Sequence, residues 1–287
     1  MSSTVNTNLI SLNAQRNASS TQASLAMSMQ RLSSGLRVNS AKDNTADLTI
    51  AERMGAQVRG MNVAIRNAND GISLSQTAEG ALGKVGDSLQ RMRELAVQAR
   101  NATNSSNDQD SMDKEFGELA KEIQRVLGGT TFNGKHVVGS DAGALNFQVG
   151  AGTSTDDQIA ITTTNMTTNT QITSVAGTDN TGAGRAVIDS TATSASIGTV
   201  IDNIDSAIDR VNSERAVLGA SQNRFDSVIS NLNVAVENQT ASRSRIMDAD
   251  FAKETANLSR AQILQQAGNA MIAQANQLPQ QVLALLR

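Results

Sequence analysis

Apolar residues at both ends of the 287-residue chain recur with the spacing of helices that bury one side. Toward the C-terminus Leu264, Gly268, Met271, Ala275, Leu278, Val282 and Leu285 step by four and three residues in strict alternation, the pattern of a heptad seam. The flanks of that seam are almost chargeless, with Arg260 the one ionised side chain between Ala256 and Leu286. The N-terminal stretch matches it. Val5, Leu9 and Leu12, then Leu25, Met29, Leu32 and Leu36, fall at helical spacing among Asn, Ser, Thr and Gln, and Arg16 is the lone charged side chain up to Gln30. A helix with one face in water ordinarily carries charges there, so two chargeless helices predict burial on more than one side. A seam that includes Ala and Gly buries too little apolar surface to offset the ordering of about thirty residues. Packing between copies of the chain is the expected source of the missing burial.

Between these ends the period changes twice. The polar stretch Arg37 to Asp47 predicts an irregular connector, after which Leu48 resumes helical periodicity. A further helix is expected from about Ile72 to Arg100, with Leu74, Ala78, Ala81, Val85, Ser88, Met92 and Leu95 on one seam and Leu82 and Leu89 widening it. Asn101 to Asp110 breaks that pattern. Met112, Phe116, Leu119, Ile123 and Val126 then define a shorter helix that Gly128 and Gly129 are expected to close, completing a helical hairpin. Gly71, Gly80, Gly83 and Gly86 sit inside the helical pattern with no P-loop lysine, which predicts close helix packing rather than phosphate binding.

In the middle, Leu145, Phe147 and Val149 alternate with polar residues, as do Ile159 and Ile161, and Asn133-Gly134 signals a tight turn before Val137 and Val138. Thr153 to Thr199 is dominated by Thr, Ser, Asn, Gly and Ala, a composition suited to exposed loops and short strands rather than a packed interior. Helix returns with the longest seam: Ile201, Ile204, Ile208, Val211, Arg215, Leu218, Gln222, Phe225, Ile229, Leu232, Val236 and Gln239. At about 1.5 Å per residue this rod reaches roughly 60 Å, long enough to lie along the hairpin. Arg215 and Gln222 interrupt it; they either fix its register or lie on an exposed edge. The expected fold is therefore mainly α: long antiparallel helical rods or coiled coil, made of terminal helices and a helical bundle, with a small β-hairpin region and a short central loop module.

Composition narrows the function. Five Phe and no Trp or Tyr argue against a large aromatic-centred core. A net charge of −3 with dispersed basic residues argues against nucleic acid. The terminal helices lack the basic faces that draw amphipathic helices to anionic lipid, and no apolar run is long enough to span a bilayer. No cysteine is present, so disulfides and thiolate metal sites are excluded. A basic start followed by a continuous apolar stretch, the mark of a cleavable secretory signal, is also missing, so export is expected to use another route. The single histidine, His136, follows the Asn-Gly turn without a second imidazole, HExxH does not occur, and the close acids Asp156-Asp157 and Asp248, Asp250 have no catalytic companion. No enzyme activity, metal or cofactor is expected.

Several linked stretches resemble bacterial flagellin. They are VNTNLISLNAQRN (Val5 to Asn17), RLSSGLRVNSAKD (Arg31 to Asp43), SQTAEGAL (Ser75 to Leu82), LQRMRELAVQA (Leu89 to Ala99), FNG (Phe132 to Gly134) and FQVGA (Phe147 to Ala151). LGASQNRF (Leu218 to Phe225), SRIMDADFAKE (Ser244 to Glu254), SRAQILQQAGNAMIAQANQ (Ser259 to Gln277) and PQQVLALLR (Pro279 to Arg287) follow in order. The resemblance implies a structural subunit that polymerises into the flagellar filament and transmits motor torque for swimming. It implies an N-terminal inner-tube helix and connector at 1–45, the helical and β hairpins of an outer-tube domain at 46–150, and a short surface-exposed module at 151–199. The long C-terminal helix of the outer-tube domain at 200–245 and a C-terminal inner-tube helix at 246–287 complete the expected division. With about fifty residues between strands and last long helix, a short form without large outer domains is expected. By the same resemblance Val5, Leu9, Leu12, Leu25, Met29, Leu32, Leu264, Met271, Leu278, Val282 and Leu285 form the subunit interface. Passage through a flagellar type III apparatus to the cell exterior is implied, with an export chaperone, a filament cap and hook–filament junction proteins as partners. Flagellins detected by the host toll-like receptor five carry an Arg, a Leu and a Glu that correspond here to Arg91, Leu95 and Glu115; Leu95 also lies on the helical seam.

Overall fold

The computed structural model describes residues 7–285, with side chains described through Gln277. Two compact units result: one takes in the described residues up to Val58 together with those from Glu237 onward, the other is Arg59–Val236.

In the first unit, helix α1 (Leu9–Ser34) begins at Asn8, whose side chain accepts the Ser11 N–H, and ends at Gly35, whose left-handed backbone (φ 70°) returns its N–H to the Arg31 carbonyl. The expected connector follows. The Asp43 carboxylate accepts the N–H groups of Asn39 and Ser40 at 3.0 and 2.9 Å and the Ser40 hydroxyl at 3.2 Å. These bonds, that from Asn39 foremost, hold its pKa below the usual carboxylate range. Helix α2 (Thr45–Ala99) then starts under Asn44, which accepts the N–H groups of Ala46 and Asp47. The crossing from helix α5 (Ser194–Met247) to helix α6 (Phe251–Leu285) is tied to this connector. Arg37 N–H donates to the Met247 carbonyl at 2.6 Å, Ala249 N–H to that of Gly35 at 2.8 Å, and the Arg37 guanidinium bridges Asp47 and the Ile246 carbonyl. Val38, Ala51 and Met247 bury a small apolar cluster beneath it. Asp250 caps α6 by accepting the N–H groups of Ala252 and Lys253.

The second unit holds the main core. The sequence pattern suggests a fresh helix from about Ile72, yet α2 runs unbroken from Thr45. Its glycines lower helix propensity without removing a backbone donor as proline does. Leu74, Ala78, Leu82, Val85, Leu89, Met92 and Leu95 are buried as the seam predicts. Helix α3 (Ser106–Gly129) opens with a reciprocal cap between Ser105 and Asp108 and buries Met112, Phe116, Ala120, Ile123 and Leu127. Its end departs from expectation: Gly128 and Gly129 stay helical, and Thr130 ends the helix in an extended conformation that leads into β1. The Thr130 N–H and hydroxyl both reach the Val126 carbonyl, doing the work of a left-handed glycine cap.

The Asn-Gly signal is fulfilled. Strands β1 (Thr131–Phe132) and β2 (Lys135–His136) pair across Asn133 and Gly134, whose φ values of 49° and 79° are those of a type I′ turn. Strands β3 (Ala144–Gln148) and β4 (Gln158–Thr162) pair antiparallel with Leu145 opposite Ile161 and Phe147 opposite Ile159. The segment expected to lack a packed interior contributes to one. Ile159, Ile161, Met166, Ile172, Val175 and Ile188 are fully or almost fully buried, and a short helix α4 (Thr170–Ala176) forms. Widely spaced aliphatic residues in a polar stretch escape periodicity because tertiary contacts, not repeats, place them. Arg185 fastens this segment to α3: its guanidinium donates to both Asp113 oxygens at 2.9 and 2.5 Å, while Asp113 also accepts the Ile188 N–H. Burial raises the Asp113 pKa, and these bonds more than offset it, leaving it lowered.

On α5 every seam position from Ile201 to Gln239 is buried or half-buried. The two polar interruptions meet one residue of α2: Gln222 donates to Glu79 at 3.0 Å and Arg215 lies 3.6 Å from it. That shared carboxylate favours register fixing over an idle edge.

Candidate functional site

Helices α1 and α6 pair with each other, and the fully buried positions of their facing stripes, Ser11, Ala18, Ser28, Glu254, Ala261 and Ala275, are small or polar. Along α1, Asn8, Ser11, Ala14, Ala18, Thr21, Leu25, Ser28, Arg31 and Leu32 are the buried or half-buried positions; along the described part of α6, Glu254, Asn257, Leu258, Ala261, Gln265, Gly268, Ile272 and Ala275 are. A Cβ built on Gly268 would stand 3.7 Å from that of Ala18, ordinary contact for closely approaching helices. Polar locks hold both ends of the stripe. Asn8 donates its amide to the Ala275 carbonyl at 2.7 Å. Some distance along, the Ser28 hydroxyl donates to Glu254 at 2.6 Å, and Arg31 stands 4.0 Å from the other oxygen of that carboxylate. Glu254 is 7% exposed, and this lock satisfies it.

The large side chains point elsewhere. Leu9, Leu12, Met29, Leu264 and Met271 are between 47% and 64% exposed, with Leu25 and Leu32 half-buried toward α6. Ile10, Met27, Phe251 and Ile263, absent from the sequence-level set, add to the outward apolar surface. Of the remaining expected interface residues, Val5 and the side chains of Leu278, Val282 and Leu285 lie outside the described residues. Gly268 and Ala275 sit on the inner stripe, whereas the seam drawn through them in the sequence also takes in the outward Leu264 and Met271. The pair thus has an inner face whose fully buried apolar positions are Ala, flanked by half-buried Leu25, Leu32, Leu258 and Ile272, and an outer face with many large apolar residues. The Ser28 and Glu254 lock escaped the sequence reading; the signal for it was a single acid in an otherwise acid-free helix.

In the other unit, Arg91 and Glu115 lie together on the surface of α2 and α3. Arg91 donates Nε to Glu115 at 2.9 Å and Nη1 to Glu94 at 2.9 Å, which raises its pKa, the Glu115 bond contributing most. Both side chains are about half exposed. Leu95, one turn along from Arg91, is buried in the core. Chemically this is an ordered ion-pair cluster that can present charge and hydrogen bonds but holds no nucleophile. His136, on β2, donates its backbone N–H to Asp141. Among the described residues no group of three or more His, Cys, Asp or Glu is placed to hold a metal, and no helix is long and apolar enough to cross a membrane.

Comparison with known proteins identifies the fold's relatives. The family descriptions "Bacterial flagellin N-terminal helical region" and "Bacterial flagellin C-terminal helical region" match residues 5–140 and 201–286. A flagellin of Halalkalibacterium halodurans is 43% identical over 284 residues, covering 99% of each chain. A flagellin of Bacillus subtilis is 39% identical over 314 aligned positions, again covering 99% of each. A crystal structure of Bacillus cereus flagellin aligns with a TM-score of 0.47 at 31% identity, over 58% of this chain and 88% of that one. Matched at both helical ends and along nearly the whole length of these relatives, the chain belongs to the bacterial flagellins, structural rather than enzymatic proteins whose copies polymerise into the flagellar filament that drives swimming.

Proposed function

We propose that the outward apolar faces of α1 and α6 are the surfaces through which copies of this chain pack in the filament. The supporting observation is the bias of size on the helix pair: the fully buried positions are Ser, Ala and Glu, with Leu25, Leu32, Leu258 and Ile272 half-buried beside them, while Leu9, Leu12, Met29, Leu264 and Met271 are about half or more exposed. Half-exposed Leu and Met side chains on chargeless helices each withhold roughly 1 kcal/mol of burial that a neighbouring copy can supply. The test is seeded polymerisation of Leu264→Ser and Met271→Ser. Each is expected to raise the critical concentration about tenfold while leaving the second unit's melting unchanged; polymerisation at the wild-type critical concentration refutes the assignment.

The wider life of the subunit follows from the same family reading. The chain is exported through the flagellar type III route, escorted by an export chaperone that covers the terminal apolar faces, and added beneath a filament cap beyond the hook–filament junction proteins. A further reading concerns recognition by toll-like receptor five. The ordered Arg91 and Glu115 pair favours it, with Leu95 acting from below by supporting the surface. Arg91→Ala monomer is expected to lose most receptor activation, and unchanged activation refutes that role.

A further inference from the structure

A groove of about 450 Å³ opens between α1 and α6, and its charges do not balance. It is lined by Ser28, Arg31, Glu254 and Arg260, with the half-exposed Met27 and Leu264 beside them. Glu254 is already engaged by Ser28 and faces Arg31 at 4.0 Å; the buried Nε of Arg31 has no acceptor. Arg260 makes no hydrogen bond or ion pair among the described residues, and it precedes Leu264 by one helical turn on the same face. Across the two helices Arg16, Arg31, Lys253 and Arg260 stand against Glu254 alone.

A cation carried into an interface by an adjacent apolar residue must find an anion there, because leaving it buried and unpaired costs several kcal/mol. We propose that this groove is a carboxylate-binding site between copies, in which Arg260, with Arg31 behind it, receives an Asp or Glu side chain from a second copy of this chain. The site rests on the packing of copies proposed above and adds to it a polar determinant of register. A carboxylate fits better than a carbonyl because two arginines and only one acid line the groove, and guanidinium pairs with carboxylate in a directional fork.

The test is seeded polymerisation of the full chain carrying Arg260→Lys, Arg260→Ala or Arg260→Glu, with circular dichroism of each monomer as the folding control. At low ionic strength Arg260→Lys, which keeps the charge but loses the fork, is expected to fall between wild type and Arg260→Ala, Arg260→Ala to raise the critical concentration about fivefold, and Arg260→Glu to raise it well beyond that. The spread among variants should shrink in about 1 M salt. Wild-type polymerisation of Arg260→Glu overturns the site, as does equal impairment of Arg260→Ala and Arg260→Glu, which would mark loss of the side-chain stem rather than of its charge. Leu264→Ser run in parallel separates the two levels. If it is impaired while Arg260→Glu is not, only the carboxylate site fails; if neither is impaired, the packing surface fails with it.

Discussion

Gly71 offers the sharpest check on the packing of the second unit, because two opposing effects of one methyl group can be weighed there. A Cβ at Gly71 would stand 2.7, 3.0 and 3.1 Å from three carbons of the Phe225 ring. That ring is fully buried and meets Phe147 edge-on, with centroids 5.6 Å apart and planes at 83°. It cannot retreat without disturbing a second aromatic. Relief to ordinary carbon contact of about 3.5 Å requires α2 and α5 to part by roughly 0.8 Å at this point. Overpacking of this kind costs about 1–3 kcal/mol, against a helix-propensity gain of about 1 kcal/mol for Ala over Gly. Gly71→Ala should therefore destabilise the unit by about 1 kcal/mol.

Gly80 and Gly83 on the same helix have nothing within 4 Å of a built Cβ, so Gly80→Ala collects the propensity gain alone and should stabilise by about 0.5–1 kcal/mol. Urea unfolding followed by far-UV circular dichroism reads both, with midpoints expected to move in opposite directions. Adding Phe225→Leu should convert the Gly71→Ala effect from loss to gain, the coupling that a double-mutant cycle isolates. If Gly71→Ala raises the midpoint as Gly80→Ala does, the close approach of α2 to the Phe225 ring is refuted.

Three further outcomes follow from the geometry. Asp113→Asn removes a bidentate partner from the largely buried Arg185 and should cost about 2–3 kcal/mol in the same unfolding assay. Because the folded Asp113 pKa is lowered, its contribution is present above the unfolded carboxylate value of about 3.9 and lost as pH falls through the folded value. The loss of stability from about pH 6 to about pH 3 should accordingly be shallower in Asp113→Asn than in wild type. Gly134→Ala places a Cβ at φ 79° in the β1–β2 turn and should destabilise by about 1 kcal/mol, read by thermal melting. Ser28→Ala leaves the Glu254 carboxylate without its 2.6 Å donor and should speed amide exchange along α1 and α6 by about tenfold, with exchange in α3 unchanged.

The elements that sequence made legible are those whose cause is local. The Asn133-Gly134 turn was readable because only residues tolerant of positive φ fit both its positions. The seam of α5 was readable because a helix packed along its length must repeat its apolar face. What stayed hidden depends on distant partners. Ile172 and Ile188 lie in a polar stretch and are buried because the Arg185 and Asp113 pair fastens that stretch to α3. Glu79 became the shared partner of Arg215 and Gln222 only once α2 and α5 were aligned. Of the four helical glycines expected to mark close packing, Gly71 lies under the Phe225 ring and a Cβ on Gly86 would reach ordinary contact with Val211 at 3.9 Å, whereas Gly80 and Gly83 face open space; composition cannot tell these apart.

The stripe along which α1 and α6 meet differs from the apolar seam of the sequence for a physical reason. Periodicity selects the largest apolar residues, and on an ordinary amphipathic helix those face the helix's own core. On this pair most of them face away, and the fully buried contact is left to Ala18, Ala261, Ala275 and the Ser28 lock, with Leu25, Leu32, Leu258 and Ile272 half-buried beside it. A subunit that buried Leu264 and Met271 internally would spend on its own folding the apolar surface that association requires. One that balanced its outer face with charges could not be covered without desolvating them. On the packing proposed above, an almost uncharged pair with small residues at its fully buried positions and large ones outside would be weakly held alone and strongly held among copies. That packing predicts that the stability of α1 and α6, unlike that of the second unit, rises with subunit concentration as mass action fills the outer face, which amide exchange measured across a dilution series reads.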